Sequence, residues 1–314
     1  MRYLHLIPYG TKFPFMRWHR LFMAISAILI FGSIGLTLVK GLNYGIEFRG
    51  GILVELRTTG PADFASLRQK LGALDIGEFS LQAFGGPSDV LIRMQAQEGG
   101  ERGNLKAIQA VREAMGQGVE FRRVETVGPV VGEELRNAAM WAILGSLVII
   151  LVYVWFRFEW QFGVGGVVAL IHDVTAILGL FALTGMEFEL STLAAILTIG
   201  GYSINDTVVV YDRIRENLRK FRRMDLRELI DRSVNETLSR TVITSFTVFM
   251  AVLVLIAFGG PVIRNFCIAM LVGVVVGTYS SIFIAAPLLI YLKLKRGAAT
   301  GEGDATQAPS PAKS

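Results

Sequence analysis

Leu190–Tyr211 reads LSTLAAILTIGGYSINDTVVVY, an apolar run long enough to cross a bilayer that carries one carboxylate, Asp206. Insertion scales put the penalty for an Asp at the centre of a spanning helix at roughly 2.5–3.5 kcal/mol, so a helix that keeps one faces it toward a partner or a water-filled path. The stretch points to a membrane-embedded chain with a polar point in its interior.

Composition agrees, since 52% of the 314 residues are hydrophobic and 18% charged, with mean hydropathy +0.50. That is too apolar for an ordinary soluble domain. Six windows near the ~20 residues a bilayer needs read as spanning helices: Leu21–Val39, Ala138–Phe156, Gly163–Thr184, Leu190–Tyr211, Thr241–Phe258 and Phe266–Tyr291. The first follows residues 1–20 and precedes no clear small-residue cleavage site, so it reads as an anchor and not a cleaved leader.

Orientation follows from the basic residues. Arg17 and Arg20 precede the first helix, and Lys293, Lys295 and Arg296 follow the last. Arg213, Arg215, Arg219, Lys220, Arg222, Arg223, Arg227 and Arg232 separate the fourth from the fifth, whereas Glu187 and Glu189 separate the third from the fourth. The positive-inside bias puts both termini in the cytoplasm and makes the net charge of +5 a topology signal, with the basic segment able to meet lipid headgroups or a ribosome, and no nucleic acid implied.

The expected division is a cytoplasmic segment 1–20, the first helix 21–39, an external domain 40–135, helices two to four over 136–211, a basic cytoplasmic loop 212–240, helices five and six over 241–292, and a polar, disordered tail 293–314. Cys267 is the only cysteine, which excludes an intrachain disulfide. No Cys/His cluster, phosphate-cradling Gly loop or nucleophile triad is legible, so metal, ATP and enzyme chemistry are not expected and no cofactor is implied.

Between the first two helices, Gly51–Arg57 alternates as a strand and Asp63–Leu74 has helical spacing. Glu78–Phe84 and Asp89–Gln95 are strands around the Gly85–Gly86–Pro87 turn, Asn104–Met115 is a second helix and Val119–Thr126 a last strand. The order βαββαβ is that of a ferredoxin-like α+β domain, with helices on one face of the sheet. The other face is left for an extended polypeptide or for docking against another subunit. The fold class is thus a polytopic α-helical membrane protein of six spans with one such external domain.

Inside the bilayer, the third helix carries His172 and Asp173 near its middle, open to two readings: a proton relay, or a hydrogen-bonded pair that fixes packing. On the fourth helix Tyr202, Ser203 and Asp206 share a face, with Asn205 beside them. Thr237, Arg240, Thr244, Thr247 and Ala251 recur at three- and four-residue spacing on the fifth, so the two stripes could meet and pair Asp206 with Arg240. The bland alternatives are that Asp206 is wetted from the cytoplasmic side and that Arg240 reflects positive-inside bias alone. Ala269, Gly273, Gly277, Ser281 and Ala285 repeat every fourth residue on the sixth helix, predicting a tight helix contact, static or sliding.

Four segments resemble the SecD/SecF family of protein-export membrane proteins, in the resistance-nodulation-division superfamily. They are Gly41–Gly51 (GLNYGIEFRGG, with Glu47 where Asp is usual and Arg49 where Thr is usual), Val127–Leu135 (VGPVVGEEL), Leu170–Val174 (LIHDV) and Ile199–Asn217 (IGGYSINDTVVVYDRIREN). The resemblance covers nearly the whole chain. It implies a multi-pass protein of the bacterial inner membrane whose external domain is periplasmic, with SecD as obligate complement and the SecYEG channel and a translocating preprotein as partners. It further implies that protons are the coupling ion and that Asp206 and Arg240 lie in a proton-conducting region; the role of His172 and Asp173 is not assigned by it. Two other readings stand beside it: half of a proton-driven small-molecule or lipid exporter, and a passive export scaffold.

Overall fold

A computed structural model describes residues 11–260, 262–292 and 294. The expected tail, with Lys293, Lys295 and Arg296, lies outside the described residues apart from Leu294, as does the start of the 1–20 segment. Six helical stretches are long and apolar enough to cross a membrane. They are α1 (Phe15–Lys40), α5 (Pro129–Arg157), α6 (Trp160–Thr184), α7 (Leu190–Lys220), α8 (Leu226–Phe258), and α9 (Arg264–Ser280) continued through a π-helical turn at Ser281–Ala285 into α10 (Ala286–Tyr291).

Between α1 and α5 the chain forms β1 (Asn43–Tyr44), α2 (Ile46–Arg49), β2 (Gly51–Thr58), α3 (Phe64–Gly72), β3 (Phe79–Ala83), β4 (Asp89–Met94), α4 (Glu101–Met115) and β5 (Val119–Val127). The sheet is antiparallel in the order β3-β4-β2-β5, the ferredoxin-like topology. Alternation decides its faces: Ile52, Val54, Leu56, Val90 and Ile92 point to one side and are sealed by Leu67 and Leu71 of α3 and Val111 and Met115 of α4. Asp63 caps α3, its carboxylate accepting from the amides of Ala65 and Ser66 at 3.0 and 3.2 Å.

Gly50 and Gly51 turn α2 into β2 with φ of +75° and +136°. A Cβ on Gly50 would press on Pro129 at the start of α5, and one on Gly51 on the Met94 carbonyl, so only glycine fits the stem of the domain.

Three expectations are corrected. The segment 212–240 is not a loop, because α7 continues to Lys220 and α8 begins at Leu226, capped by Asp225. Its apolar residues recur at helical spacing, and Ile214 and Leu218 pack with Leu229, Ile230 and Val234 to join the two extensions. Residues 1–20 are not all preceding segment, since α1 starts at Phe15, its first amides satisfied by Asp231 (Met16 N to Oδ1, 2.8 Å) and by Asn235 through Phe13 (2.9 Å). The open sheet face is not fully open either: Arg93 of β4 forms an ion pair with Glu187 of β6 (Glu187–Phe188), which also pairs in parallel with β1.

Burial divides the spans. Helices α6, α7 and α9 with α10 are largely enclosed, whereas α1, α5 and α8 expose most of their apolar surface. The α7–α9 seam is closest: a Cβ on Gly273 would fall inside the volume of Ile199, and one on Gly277 would touch Ser203. Replacing Gly273 by Val should therefore cost about 1–3 kcal/mol by overpacking. Thiol-probe labelling of buried Cys267 during heating in detergent should move to lower temperature, and Ile199→Ala added to it should recover part of the loss.

Candidate functional site

Asp173 organises the enclosed helices. It is fully buried on α6 and accepts three hydrogen bonds: from His172 Nδ1 (2.9 Å), from Ser203 Oγ on α7 (2.5 Å) and from Ser280 Oγ on α9 (2.8 Å). Two of these donors lie on other helices, so the carboxylate is the fastener of the α6–α7–α9 core. The small stripe makes this reachable: Gly277 leaves α9 close enough to α7 that a Cβ there would sit 3.1 Å from Ser203 Cβ and 3.6 Å from Asp173 Oδ2. Ala269, Ser281 and Ala285 are buried along the same seam, and the Ala285 carbonyl accepts from Tyr211 at 3.1 Å.

His172 completes its environment with a tilted contact to Tyr279, ring centroids 6.0 Å apart, and its Nε2 is buried without a partner. The Tyr279 hydroxyl donates to the Phe22 carbonyl (2.7 Å) and meets Ser26 Oγ (2.8 Å), extending the polar zone to α1. A second relay crosses to α8: Tyr202 donates to Ser245 (3.0 Å), which meets Thr278 at 2.6 Å.

Asp206 lies one turn from Ser203 on α7, 2% exposed, and its Oδ2 is buried with no partner among the described residues. The hydroxyls of Thr207 and Thr241 are likewise buried and unpartnered. The expected pairing is not formed. Arg240 acts on Asp206 electrostatically, but no ion pair within 4.0 Å joins them among the described residues, and Arg240 is exposed. The stripe on α8 turns away from α7 along its length: Thr237 is buried, Thr247 and Ala251 are exposed, and Thr244 and Thr247 donate to carbonyls of their own helix. Asn205 also faces outward. Sequence reasoning found Asp173, His172 and Ser203 but missed Ser280, Ser245 and Thr278, small hydroxyls that a hydropathy window passes over.

A second polar cluster lies where the sheet domain meets the helices. Glu47 of α2, Glu187 of β6 and Glu189, which caps α7 in a capping box with Thr192, surround Arg93. Burial pushes the Glu47 and Glu189 carboxyls up, against opposing contributions from the Glu47 amide and from Ser191, Arg93 and Asn265 near Glu189. Burial also pulls Arg93 down from the ordinary guanidinium value, while Glu189 and Glu47 oppose it.

Comparison with known proteins places these features in a family. Residues 107–295 match the profile described as protein export membrane protein SecD/SecF, C-terminal, and residues 35–62 the SecD/SecF GG motif, which contains Gly50 and Gly51. The chain is 45% identical over 290 residues to protein translocase subunit SecF of Rickettsia rickettsii, covering 91% of this chain and 94% of the relative. It is 44% identical over 308 residues to protein translocase subunit SecDF of Brucella abortus, covering 98% of this chain and 40% of that one. A crystal structure of SecDF from Thermus thermophilus, described as a translocon-associated membrane protein, superposes with TM-score 0.82 at 39% identity, over 90% of this chain and 39% of that one. A SecDF structure in a super-membrane-facing form gives 0.69 at 38% identity and covers 93% and 40%. The chain thus spans about two-fifths of the fused SecDF proteins and nearly all of the single SecF chain.

Asp173→Ala strands His172 and two hydroxyls in the core and should cost about 3 kcal/mol or more, whereas Ser280→Ala should cost only about 1 kcal/mol. The Cys267 labelling midpoint on heating ranks the two. At the junction, the raised Glu47 carboxyl contributes stability that is complete below its ordinary value of 4.5 and is lost as pH rises through the raised one. Glu47→Gln should accordingly raise the unfolding temperature at about pH 8 and leave it unchanged at about pH 4.

Proposed function

The chain belongs to the SecD/SecF family of protein-export membrane proteins, and from that premise we propose that it is the six-span half of a proton-driven export unit completed by SecD. In this reading both termini and the basic helical hairpin face the cytoplasm and the sheet domain faces the periplasm. The assembled unit works beside the SecYEG channel, with lipids around α1, α5 and α8, and its external domains hold a preprotein emerging from the channel.

The observation that carries the reading is Asp206: a carboxylate in mid-bundle, one oxygen buried and without a donor, next to a core already fastened by Asp173. Asp173 is satisfied on all sides and suits a structural role, so the choice left open for His172 and Asp173 falls to packing for Asp173. Asp206 is the carboxylate free to change. Ionisation would put charge on an oxygen to which nothing donates among the described residues, an arrangement that approach of α7 and α8, bringing Asp206 to Arg240, would relieve. Protonation would remove the charge and let the observed packing return, so two packings of α7 against α8 alternate as protons pass.

The driving force suffices, since one charge crossing 100 mV releases about 2.3 kcal/mol, roughly a fiftyfold bias on a two-state arrangement. That the chain matches two SecDF structures at nearly equal identity but with TM-scores of 0.82 and 0.69 supports a fold of this kind having more than one arrangement.

Membrane vesicles carrying this protein and its SecD partner should show export of a reporter preprotein that rises with the proton motive force. Asp206→Asn at equal abundance should abolish the rise, and Arg240→Gln should reduce it. A full rise with Asp206→Asn would favour a passive scaffold.

A further inference from the structure

We propose that the ion pair between Arg93 and Glu187 is the strut through which α7 moves the sheet domain, an inference that rests on the proton-driven reading of Asp206 and names how its motion leaves the membrane. Segment 185–189, which connects α6 to α7, is held at three points. Its β6 strand pairs with β1 at the stem of the domain, and the Phe188 carbonyl accepts from Gly45 N at 2.9 Å. Asn265 at the start of α9 donates to the Glu187 carbonyl (3.1 Å) and to Glu189 Oε1 (3.4 Å). Arg93 reaches the Glu187 carboxylate from the middle of the sheet, where it stands between Leu53 of β2 and Ser80 of β3.

The placement makes this contact a lever. Among the described residues, no other hydrogen bond or ion pair joins the segment 185–189 or α7 to the four-stranded sheet. The covalent connections run through α1 and α5, which expose most of their apolar surface; α1 meets the polar zone beside Asp173 only through Tyr279, and no side-chain hydrogen bond among the described residues joins α5 to it. Helix α7 is unbroken and free of proline from Leu190 to Lys220, and Asp206 is roughly 24 Å along it from Leu190, so a tilt near Asp206 is delivered at Glu187.

The pair is also built to stay engaged. Both side chains are mostly buried, 13% and 8% exposed, and loss of Glu187 would leave Glu47 and Glu189 alone to oppose the desolvation of the guanidinium. Beside it a cavity of about 330 Å³, bounded by Glu55, Arg123, Glu125, Val262 and Arg264, gives the domain space to pivot about the contact.

The test uses full-length protein with its SecD partner in vesicles, in a Cys267→Ala background. Arg93→Gln and Glu187→Gln should each cut the rise in export with proton motive force by roughly fivefold or more at equal abundance. Arg93→Cys combined with Glu187→Cys, bridged by a short bis-maleimide with a disulfide in its spacer, should restore the rise, and reducing that spacer in the same vesicles should remove it again. A structural contribution to folding would not respond to the reductant. Wild-type export from both Gln variants, with Asp206→Asn inactive in parallel, overturns the strut while leaving the proton-driven reading intact. Arrest by the bridge and recovery on reduction overturns it too, since the contact would then have to open. Full export from Asp206→Asn removes the reading on which the strut rests.

Discussion

A carboxylate in the middle of a helix bundle must find donors, and Asp173 finds them on two other helices; the rest of the bundle is arranged around that requirement. Ser203 and Ser280 reach it only because α7 and α9 run close together, and they run close because Gly273 and Gly277 have no side chain to hold them apart. The polar centre and the small-residue seam are thus one feature. With little hydrophobic drive between helices in lipid, close packing and buried hydrogen bonds are what remain to fix their register.

Asp206 stands on α7 one turn from Ser203, the donor that α7 gives to Asp173, and among the described residues nothing donates to its buried Oδ2. Like it, the Thr207 and Thr241 hydroxyls are buried without a partner among the described residues. The same incompleteness shows on the outside of the bundle, where Asn205, Arg240 and Thr247 face away from the core and α8 exposes much of its apolar surface. A half that leaves these groups uncovered is consistent with relatives in which this region is about two-fifths of one longer chain.

The sheet domain is a separate packing unit, with its own core between strands and helices, yet it is tied at its stem and at Arg93. Both ties converge on the few residues that lead into α7. Besides the chain itself at α1 and α5, the short segment 185–189 is where the sheet domain meets the start of α7.

The six spans, the βαββαβ order and the small-residue stripe are legible in the sequence, because each is a property of consecutive residues: transfer free energy summed over a window, alternation with period two, or spacing of four along one helix. The sequence also marked His172, Asp173 and Asp206 as residues lipid would not tolerate without a reason. It misread 212–240 as a loop because charged residues conceal an amphipathic stripe that needs the facing helix to become apolar burial. Which residues meet is a property of the assembled fold. Ser280 donates to a carboxylate 107 positions away, Arg93 meets Glu187 across two domains, and Arg240 stands apart from Asp206, because partner choice depends on the rotation and depth of each helix in the assembled bundle, quantities that no single segment contains.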